Sequence, residues 1–493
     1  LSIFRPIIWE VDSSISSSDM KTKKSVVVFV ILSLVFALLF PGAAFCGAFL
    51  IPSQFDETYL AELPYKIRRL EANKDRKKIV VVGGSSVPFS IRSSLMEKQL
   101  SEYTVIDFGL YADLGSKVML DMALPFMKEN DILVFSPELH SQMFSDYFSP
   151  SLLWQAFDGN YSFLNYVALE NRMEMISSIP EFTKSKFSYW TSSKPVTGDI
   201  YMRSSFDEYG DISSSLPSGN AMDGFADLTR MISFDASLLD ADYLSYLNSY
   251  YKKIREKGAK MYYRFAPMNN KAIENPDGID AFYETLSSLL DFPIMGNPHD
   301  SVLDALWFYD TNYHLNNSGS IYNTIRFIKD IKLELMDDSK TDVEVPVAPL
   351  PIRKEYVRQN DEDISFFRIE EGEDSCSVIG LTDEGRKREK LVIPSMYKDK
   401  PVVSFLADVF SGSAARRVTV QDNIRELADG CFHDVCEVVL TNSSPSSLKV
   451  GTELMKGSSA KIFVSDDVLS KYKTDYTWSM YSQYLYPESA LNQ

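Results

Sequence analysis

The sequence predicts an α/β fold: a three-layer α/β/α sandwich around a parallel sheet, with one transmembrane helix before it and a small solenoid after it. Nearly uninterrupted apolar runs of strand length occur at 79–82, 104–108, 131–135 and 260–265. Such runs are typical of parallel strands that are covered on both faces. Segments with helical spacing lie between or after them, for example at 115–129, 241–257 and 279–290. Alternating strands and helices favour a parallel sheet with helices on both sides.

The composition sets the size and class of the protein. A chain of 493 residues with 45% hydrophobic residues is expected to form two or three packed domains. The net charge of −18 argues against nucleic acid as a partner, because a polyanion needs a basic surface. The four cysteines have no metal-ligand spacing, so we expect no bound metal; we expect no cofactor either. They are Cys46, Cys376, Cys431 and Cys436.

An uncharged segment near the N-terminus predicts a membrane anchor. Residues 26–51 carry no charged side chain and are long enough to span a bilayer as a helix. Lysines precede this segment and acidic residues follow it, so the positive-inside rule places the N-terminus in the cytoplasm. We therefore predict a cytoplasmic tail at 1–24, an anchor at 25–52 and an extracytoplasmic remainder. A cleaved signal peptide is the alternative, with Gly42-Ala43-Ala44 as a weak cleavage signal.

The rest of the chain divides into two predicted domains. The α/β pattern covers 53–336, with an insertion at about 150–230 that is rich in Trp, Tyr, Phe and Ser. We expect this insertion to be helical and to lie over the strand ends, where open α/β sheets bind ligands. It would either shape a substrate cleft or pack as a cap. Residues 337–360 contain three prolines and many charges and read as a linker.

The C-terminal domain, 361–493, has an internal repeat. Apolar positions recur with an offset of 22 residues, and short predicted strands precede each copy, at 391–395 and 418–422, with a third, decayed copy starting at 438–442. A period in the twenties indicates a solenoid. The two clean copies, 401–412 and 423–434, resemble BspA-like leucine-rich repeats, as does the ending at 461–487. The resemblance implies a surface that binds a protein or a glycan.

Two motifs carry the candidate chemistry. The strand at 79–82 ends in Gly83-Gly84-Ser85-Ser86, and Asp310 and His314 lie in a later loop. A hydroxyl nucleophile needs a base, and that base needs a group to orient it. Of the four histidines, His314 combines a close carboxylate with a predicted position opposite the serines. The alternative is structural: serines at this point could only cap the following helix.

These motifs resemble the SGNH/GDSL hydrolase superfamily, whose sandwich is flavodoxin-like. Gly83-Gly84-Ser85 stands where that family has Gly-Asp-Ser, so Ser85 is the implied nucleophile; a frame shifted by one residue would select Ser86. The family's Asp-X-X-His block is one residue longer here, with Asp310 and His314 at its ends.

The resemblance also implies an oxyanion hole. In the family a glycine N–H after the second strand contributes to it, and Gly109 occupies that position. The family's Gly-X-Asn-Asp block is replaced by Ser136-Pro137-Glu138, so its asparagine donor is absent. Asn269 follows another predicted strand and is a candidate substitute.

Together these features predict a membrane-anchored, extracytoplasmic serine esterase or O-acyltransferase. Its substrates would be small esters or acyl esters of cell-surface or extracellular glycans. Ser85 would attack the ester, His314 would take its proton and Asp310 would orient His314. The alternative is a catalytically inactive surface adhesion protein that binds its partner through the repeats.

Overall fold

The computed structural model describes residues 26–29, 42–191, 200–212, 222, 224, 226–227, 230–349, 363–475 and 477–491. The chain is a mixed α/β protein with parallel sheets, which confirms the predicted class at that level. The predicted anchor at 25–52 falls partly outside these residues; helical turns are seen at 26–29 and 42–50. Within the described ranges, no helix is long and apolar enough to cross a bilayer.

A four-stranded parallel sheet forms the centre of the N-terminal region. Its order is β2-β1-β3-β4. The strands are β1 (Lys78–Gly83), β2 (Thr104–Gly109), β3 (Ile132–Phe135) and β4 (Lys260–Tyr263). They match the four apolar runs of the sequence, although β4 ends two residues earlier than its run. Two short parallel strands, β5 (Met268–Asn269) and β6 (Val302–Leu303), form a separate pair.

Helices cover both faces of this sheet, as the continuous apolar strands predict. The helices are α1 (Leu63–Ala72), α2 (Ser86–Ser90), α3 (Ser93–Gln99), α4 (Ser116–Ala123), α5 (Pro150–Ala156), α6 (Leu169–Ser177), α7 (Ile179–Thr191), α8 (Ala241–Glu256), α9 (Ile279–Leu289) and α10 (Asn317–Glu334). Ile79 and Val81 of β1 belong to a buried cluster that includes side chains of α3 and α10, whereas Val80 and Val82 belong to a second cluster that includes side chains of α1, α4 and α8.

A buried ion pair fixes β1 against the start of β3. Lys78 Nζ lies 2.5 Å from Asp131 Oδ2, and the Lys78 N–H donates to Oδ1 of the same carboxylate. Both side chains are fully buried. Removing one partner of such a pair typically costs about 3–5 kcal/mol, because a buried charge is left unpaired. The pair therefore holds the position of the strand that leads to Ser85.

Helices α5, α6 and α7 occupy the insertion up to residue 191, as expected, whereas its described residues 200–212 contain one short 3-10 turn and isolated bridges. Helix 42–50 packs on α7, where Thr183 Oγ1 donates to the carbonyl of Ala44 and Lys186 Nζ donates to that of Ala48. Aromatic contacts extend this junction, because Phe49 meets both Trp154 and Tyr161 edge-on. The insertion is thus packed against the last part of the uncharged segment itself.

The C-terminal region forms two largely parallel sheets. Their orders are β15-β13-β11-β8-β7 and β17-β16-β14-β12-β9, with β10 added to β11. The strands are β7 (Phe367–Glu371), β8 (Cys376–Leu381), β9 (Lys390–Val392), β10 (Met396–Tyr397), β11 (Lys400–Phe405), β12 (Arg417–Val420), β13 (Glu426–Leu427), β14 (Glu437–Leu440), β15 (Lys449–Val450), β16 (Lys461–Val464) and β17 (Leu485–Pro487). Helix α11 is Leu469–Thr474.

The 22-residue offset corresponds to equivalent positions in one core. Phe405 of β11 and its equivalent Leu427 of β13 lie on neighbouring parallel strands and pair directly. Phe410 and its equivalent Phe432 are both fully buried. The three short strands expected from the repeats are β9, β12 and β14, and they pair side by side. Cys431 is buried in this core and Cys436 is exposed, and both are free thiols.

Candidate active site

The candidate site lies at the carboxyl edge of the central sheet. Ser85 follows β1, Gly109 ends β2 and Glu138 follows β3. Gly83 is required at the end of β1, because a Cβ there would stand 2.3 Å from the carbonyl oxygen of Ser136. The chain leaving β3 thus passes directly against the end of β1, and the chemistry-bearing residues of adjacent strands are brought together.

Ser85, His314 and Asp310 form a continuous hydrogen-bonded chain. Ser85 Oγ lies 2.8 Å from His314 Nε2, and His314 Nδ1 lies 2.9 Å from Asp310 Oδ1. Ser86 does not take part: its side chain is fully buried at the start of α2, and its hydroxyl has no hydrogen-bond partner in the described structure. Of the two serines that the sequence left open, the geometry favours Ser85.

The loop that carries Asp310 and His314 forms a tight turn, which accommodates the extra residue between them. The Tyr309 N–H donates to the carbonyl of His314, and Phe308 bridges Leu315 in antiparallel fashion. Thr311 Oγ1 accepts from the His314 N–H at 3.0 Å inside this turn. The chain therefore doubles back between positions 309 and 314. For this reason Asp310 reaches the ring of His314 although the spacing is one residue longer than the family's.

Phe89 from α2 holds the imidazole of His314 from one side. The two rings are stacked with their centroids 3.9 Å apart and their planes 4° from parallel. His314 is 5% exposed. Stacking and burial restrict rotation of the ring, so Nε2 stays directed at Ser85 and Nδ1 at Asp310.

Tyr201 completes the site and was not anticipated from the sequence. Its hydroxyl donates to Asp310 Oδ2 at 2.5 Å and lies 3.2 Å from His314 Nδ1. Burial, followed by the charge of Asp310, raises the pKa of Tyr201 well above its ordinary value, so the phenol remains a donor. The aromatic composition of the insertion suggested that it would reach the strand ends, but no local pattern distinguishes Tyr201 among 27 tyrosines.

Gly109 is closely packed at the edge of the site. A Cβ at this position would stand 2.5 Å from Val87 Cβ and 2.7 Å from the Gly84 carbonyl oxygen. Its N–H donates to Asp107 Oδ1 at 2.8 Å. An oxyanion would therefore have to share or replace this bond, and the role of Gly109 stays a prediction.

Asn269, the second oxyanion candidate, makes a hydrogen bond within its own loop. Its side-chain oxygen accepts from the Lys271 N–H at 3.0 Å and caps the short turn after β5. The side chain is fully buried. Its part in oxyanion binding also stays a prediction.

A buried ion pair lies beside Gly109. Lys66 Nζ is 3.1 Å from Asp107 Oδ1, and both side chains are fully buried. Burial raises the pKa of Asp107 to about 6, against the lowering effect of Lys66. Lys66 also donates to the carbonyl of Gly210, so this pair ties helix α1, the end of β2 and the later part of the insertion together. No sequence motif pointed to it.

A cleft of about 720 Å³ adjoins the site. Its aromatic and aliphatic lining residues are Phe55, Tyr59, Leu60, Tyr111, Tyr189 and Tyr201. Its polar and charged lining residues are Thr58, Gln155, Glu181, Lys184, Ser185 and Ser188. Ser85 and His314 do not line it. Tyr201 belongs to both features, because its ring forms part of the cleft while its hydroxyl bonds Asp310.

No protein-family model matches the chain, and no curated protein matches it either. A serine hydroxyl in contact with a histidine that a carboxylate orients can be activated for attack on a carbonyl carbon.

Proposed function

We propose that the chain is a serine esterase or O-acyltransferase of the SGNH type. The observation that carries this proposal is the chain of contacts Ser85–His314–Asp310, at 2.8 and 2.9 Å. Ser85 Oγ attacks the ester carbonyl while His314 Nε2 takes its proton, and Asp310 stabilises the imidazolium through Nδ1–H. The imidazolium then gives the proton to the leaving alkoxide. Water, or an acceptor hydroxyl, releases the acyl group from Ser85 by the reverse sequence.

The architecture supports the same family. A parallel sheet with helices on both faces carries the nucleophile after β1 and the acid–base pair in a loop before the last helix of the region, α10. The two parallel sheets of the C-terminal region, with their 22-residue offset, support a BspA-like leucine-rich-repeat solenoid. The uncharged segment within 25–52 would anchor both regions to the membrane, on its outer side.

The cleft beside the site favours an ester with a sizeable organic group. The aromatic and aliphatic side chains of its lining suit the apolar part of a ligand, and the charged and hydroxyl groups from α7 suit hydrogen bonds. Acyl esters of cell-surface or extracellular glycans combine both characters. The repeats would bind a protein or glycan close to these substrates.

A second candidate function is that of an inactive surface binding protein. The observation that favours it is the engagement of the Gly109 N–H by Asp107, together with the absence of an asparagine at position 138. Without an assembled oxyanion hole a triad loses much of its rate enhancement. The repeats would then carry the function.

A serine-directed phosphonate separates the two candidates. The intact protein is incubated with the probe, digested and analysed by mass spectrometry for the peptide that contains Ser85. The enzyme proposal predicts modification of wild type and of Ser86→Ala, and none of Ser85→Ala. Because Ser86 contributes no hydrogen bond through its hydroxyl, it is the matched control. Absence of both labelling and ester turnover in wild type would favour the binding protein.

A further inference from the structure

Glu138 lies against the turn that carries the candidate nucleophile. Its side chain is 2% exposed, and its Oε1 accepts from the Ser86 N–H at 2.8 Å. Ser86 is the first residue of α2, and N–H groups in the first turn of a helix have no partner within the helix. A carboxylate from the neighbouring strand end therefore satisfies the N–H directly after Ser85.

The same carboxylate occupies the space beside Gly84. A Cβ built at position 84 would stand 2.2 Å from Glu138 Oε2 and 2.7 Å from its Cδ. Gly84 has no positive φ, so its backbone conformation is open to other residues. The requirement for glycine here is thus one of space, and the side chain of Glu138 is what fills it.

The segment that contains Glu138 is also tied to the loop of the acid–base pair. Tyr313, next to His314, donates its hydroxyl to the carbonyl of Leu139 at 3.1 Å. Glu138 therefore connects two parts of the site. Its carboxylate contacts the turn that contains Ser85, and the next residue, Leu139, is bonded to the loop that contains His314.

Retaining Glu138 has an energetic cost. Its second oxygen, Oε2, is buried and has no hydrogen-bond partner among the described residues. A buried polar atom without a partner typically destabilises the fold by about 1–3 kcal/mol, and a charged one by more. Groups that destabilise the fold in this way concentrate at functional sites.

We propose that Glu138 is a positioning residue for Ser85. Its carboxylate holds the Gly84-Ser85-Ser86 turn through the Ser86 N–H, and Gly84 is a glycine because that carboxylate fills the space of a side chain. The resemblance leads one to expect an acidic residue at position 84 and an asparagine at position 138. In this chain the carboxylate beside the nucleophile comes from position 138. The proposal rests on the proposed function, since the positioned group is the nucleophile.

The test compares four variants of the intact protein: Glu138→Ala, Glu138→Gln, Gly84→Ala and the double variant Gly84→Ala/Glu138→Ala. Hydrogen exchange of the peptide that contains Ser86 reports positioning independently of activity. The rate of phosphonate labelling at Ser85 reports its consequence for the nucleophile. Thermal melts identify any variant that fails to fold.

We expect Glu138→Ala to expose the Ser86 N–H to exchange and to slow labelling by about 10- to 100-fold, as for loss of a hydrogen bond to a charged group. Glu138→Gln keeps an acceptor and should label within about threefold of wild type. Gly84→Ala displaces the carboxylate and should lose as much as Glu138→Ala. The double variant should lose no more than either single one, because both changes remove the same contact.

If the two single losses in labelling rate multiply in the double variant, the proposal is wrong. It is also wrong if Glu138→Ala lowers the melting temperature but leaves the Ser86 N–H protected from exchange. If Glu138→Ala does not fold, the labelling rates of Gly84→Ala and Glu138→Gln are compared instead. The proposal expects a much slower rate for Gly84→Ala, so equal rates contradict it. If wild type is not labelled at all, the proposed function fails. Hydrogen exchange at Ser86 then still shows whether Glu138 holds the turn.

Discussion

The phenol of Tyr201 donates a 2.5 Å hydrogen bond to Oδ2 of Asp310, while His314 uses Oδ1 of the same carboxylate. The two contacts come from segments far apart in the chain and together fix the plane of the carboxylate. Since the pKa of Tyr201 is raised well above its ordinary value by burial and by Asp310, this donor persists across the pH range in which an esterase would work. Asp310 is thereby oriented from the insertion as well as from its own loop.

Tyr201→Phe should slow phosphonate labelling and ester turnover by about 3- to 30-fold while keeping the ring in the cleft. The matched control is Tyr59→Phe. Tyr59 lies in the same cleft with its ring 5.7 Å from that of Tyr201, but its hydroxyl has no hydrogen-bond partner in the described structure. Removing that hydroxyl breaks no hydrogen bond to Asp310, so the rate should fall less than in Tyr201→Phe. Equal rates for both variants would show that the bond to Asp310 has no part in the reaction.

His314→Ala should abolish turnover of a chromogenic short-chain ester, with a loss on the order of 10² to 10⁴ or more. Ser85→Ala should lose as much, and the double variant no more, because members of a triad act as a unit.

The control for the histidine variant is His299→Ala. His299 Nε2 also contacts a carboxylate, Asp280 Oδ1 at 2.7 Å, but on an exposed surface. This control should keep full activity. An active His314→Ala protein would contradict the assignment of the base.

The sequence predicted the parts of the site that follow from strand ends. Four apolar runs fixed the sheet, so Ser85 and Gly109 were expected at one edge, and Asp310 with His314 followed from their spacing. The strands β5 and β6 were missed as a pair because two residues each give no periodicity. Tyr201 was missed because its contact joins positions 109 residues apart.

Glu138 was recognised from the sequence only as an absent asparagine. Its effect depends on the distance between its carboxylate and Gly84, which no local pattern encodes. The same holds for Lys66 and Asp107, whose pairing brings a helix and a strand end together. Contacts of this kind depend on the tertiary packing of distant segments.

The buried carboxyl of Asp211 should make the stability of the fold depend on pH. Burial, followed by the charges of Asp107 and Asp207, raises the pKa of Asp211 to about 8. In an unfolded chain the pKa of an aspartate is about 3.9. Between these values the folded chain holds a proton that the unfolded chain has released. The stability contributed by this proton is complete below about pH 4 and is lost as the pH rises to about 8.

Asp211→Asn should therefore flatten the fall in melting temperature between about pH 5 and about pH 8. An asparagine can accept from the Ser93 N–H and contact the Ser93 hydroxyl, as the protonated acid does. The control is Asp291→Asn, at an exposed position, which should leave the pH dependence unchanged. Parallel curves for wild type and Asp211→Asn would contradict the assignment.

The C-terminal region should fold on its own. Its buried apolar side chains, from Phe367 to Leu485, form one cluster with members from this region alone. Parallel strands that stack at a regular offset bury their own core, as in other repeat proteins. A fragment of residues 363–491 should therefore show a β-type circular dichroism spectrum and a cooperative thermal transition. Within it, Trp478→Ala should lower stability by about 3–5 kcal/mol, because Trp478 is fully buried. Met480→Ala, at a position 56% exposed, should change little. A fragment that melts without a transition would mean that the N-terminal region is needed to complete the fold.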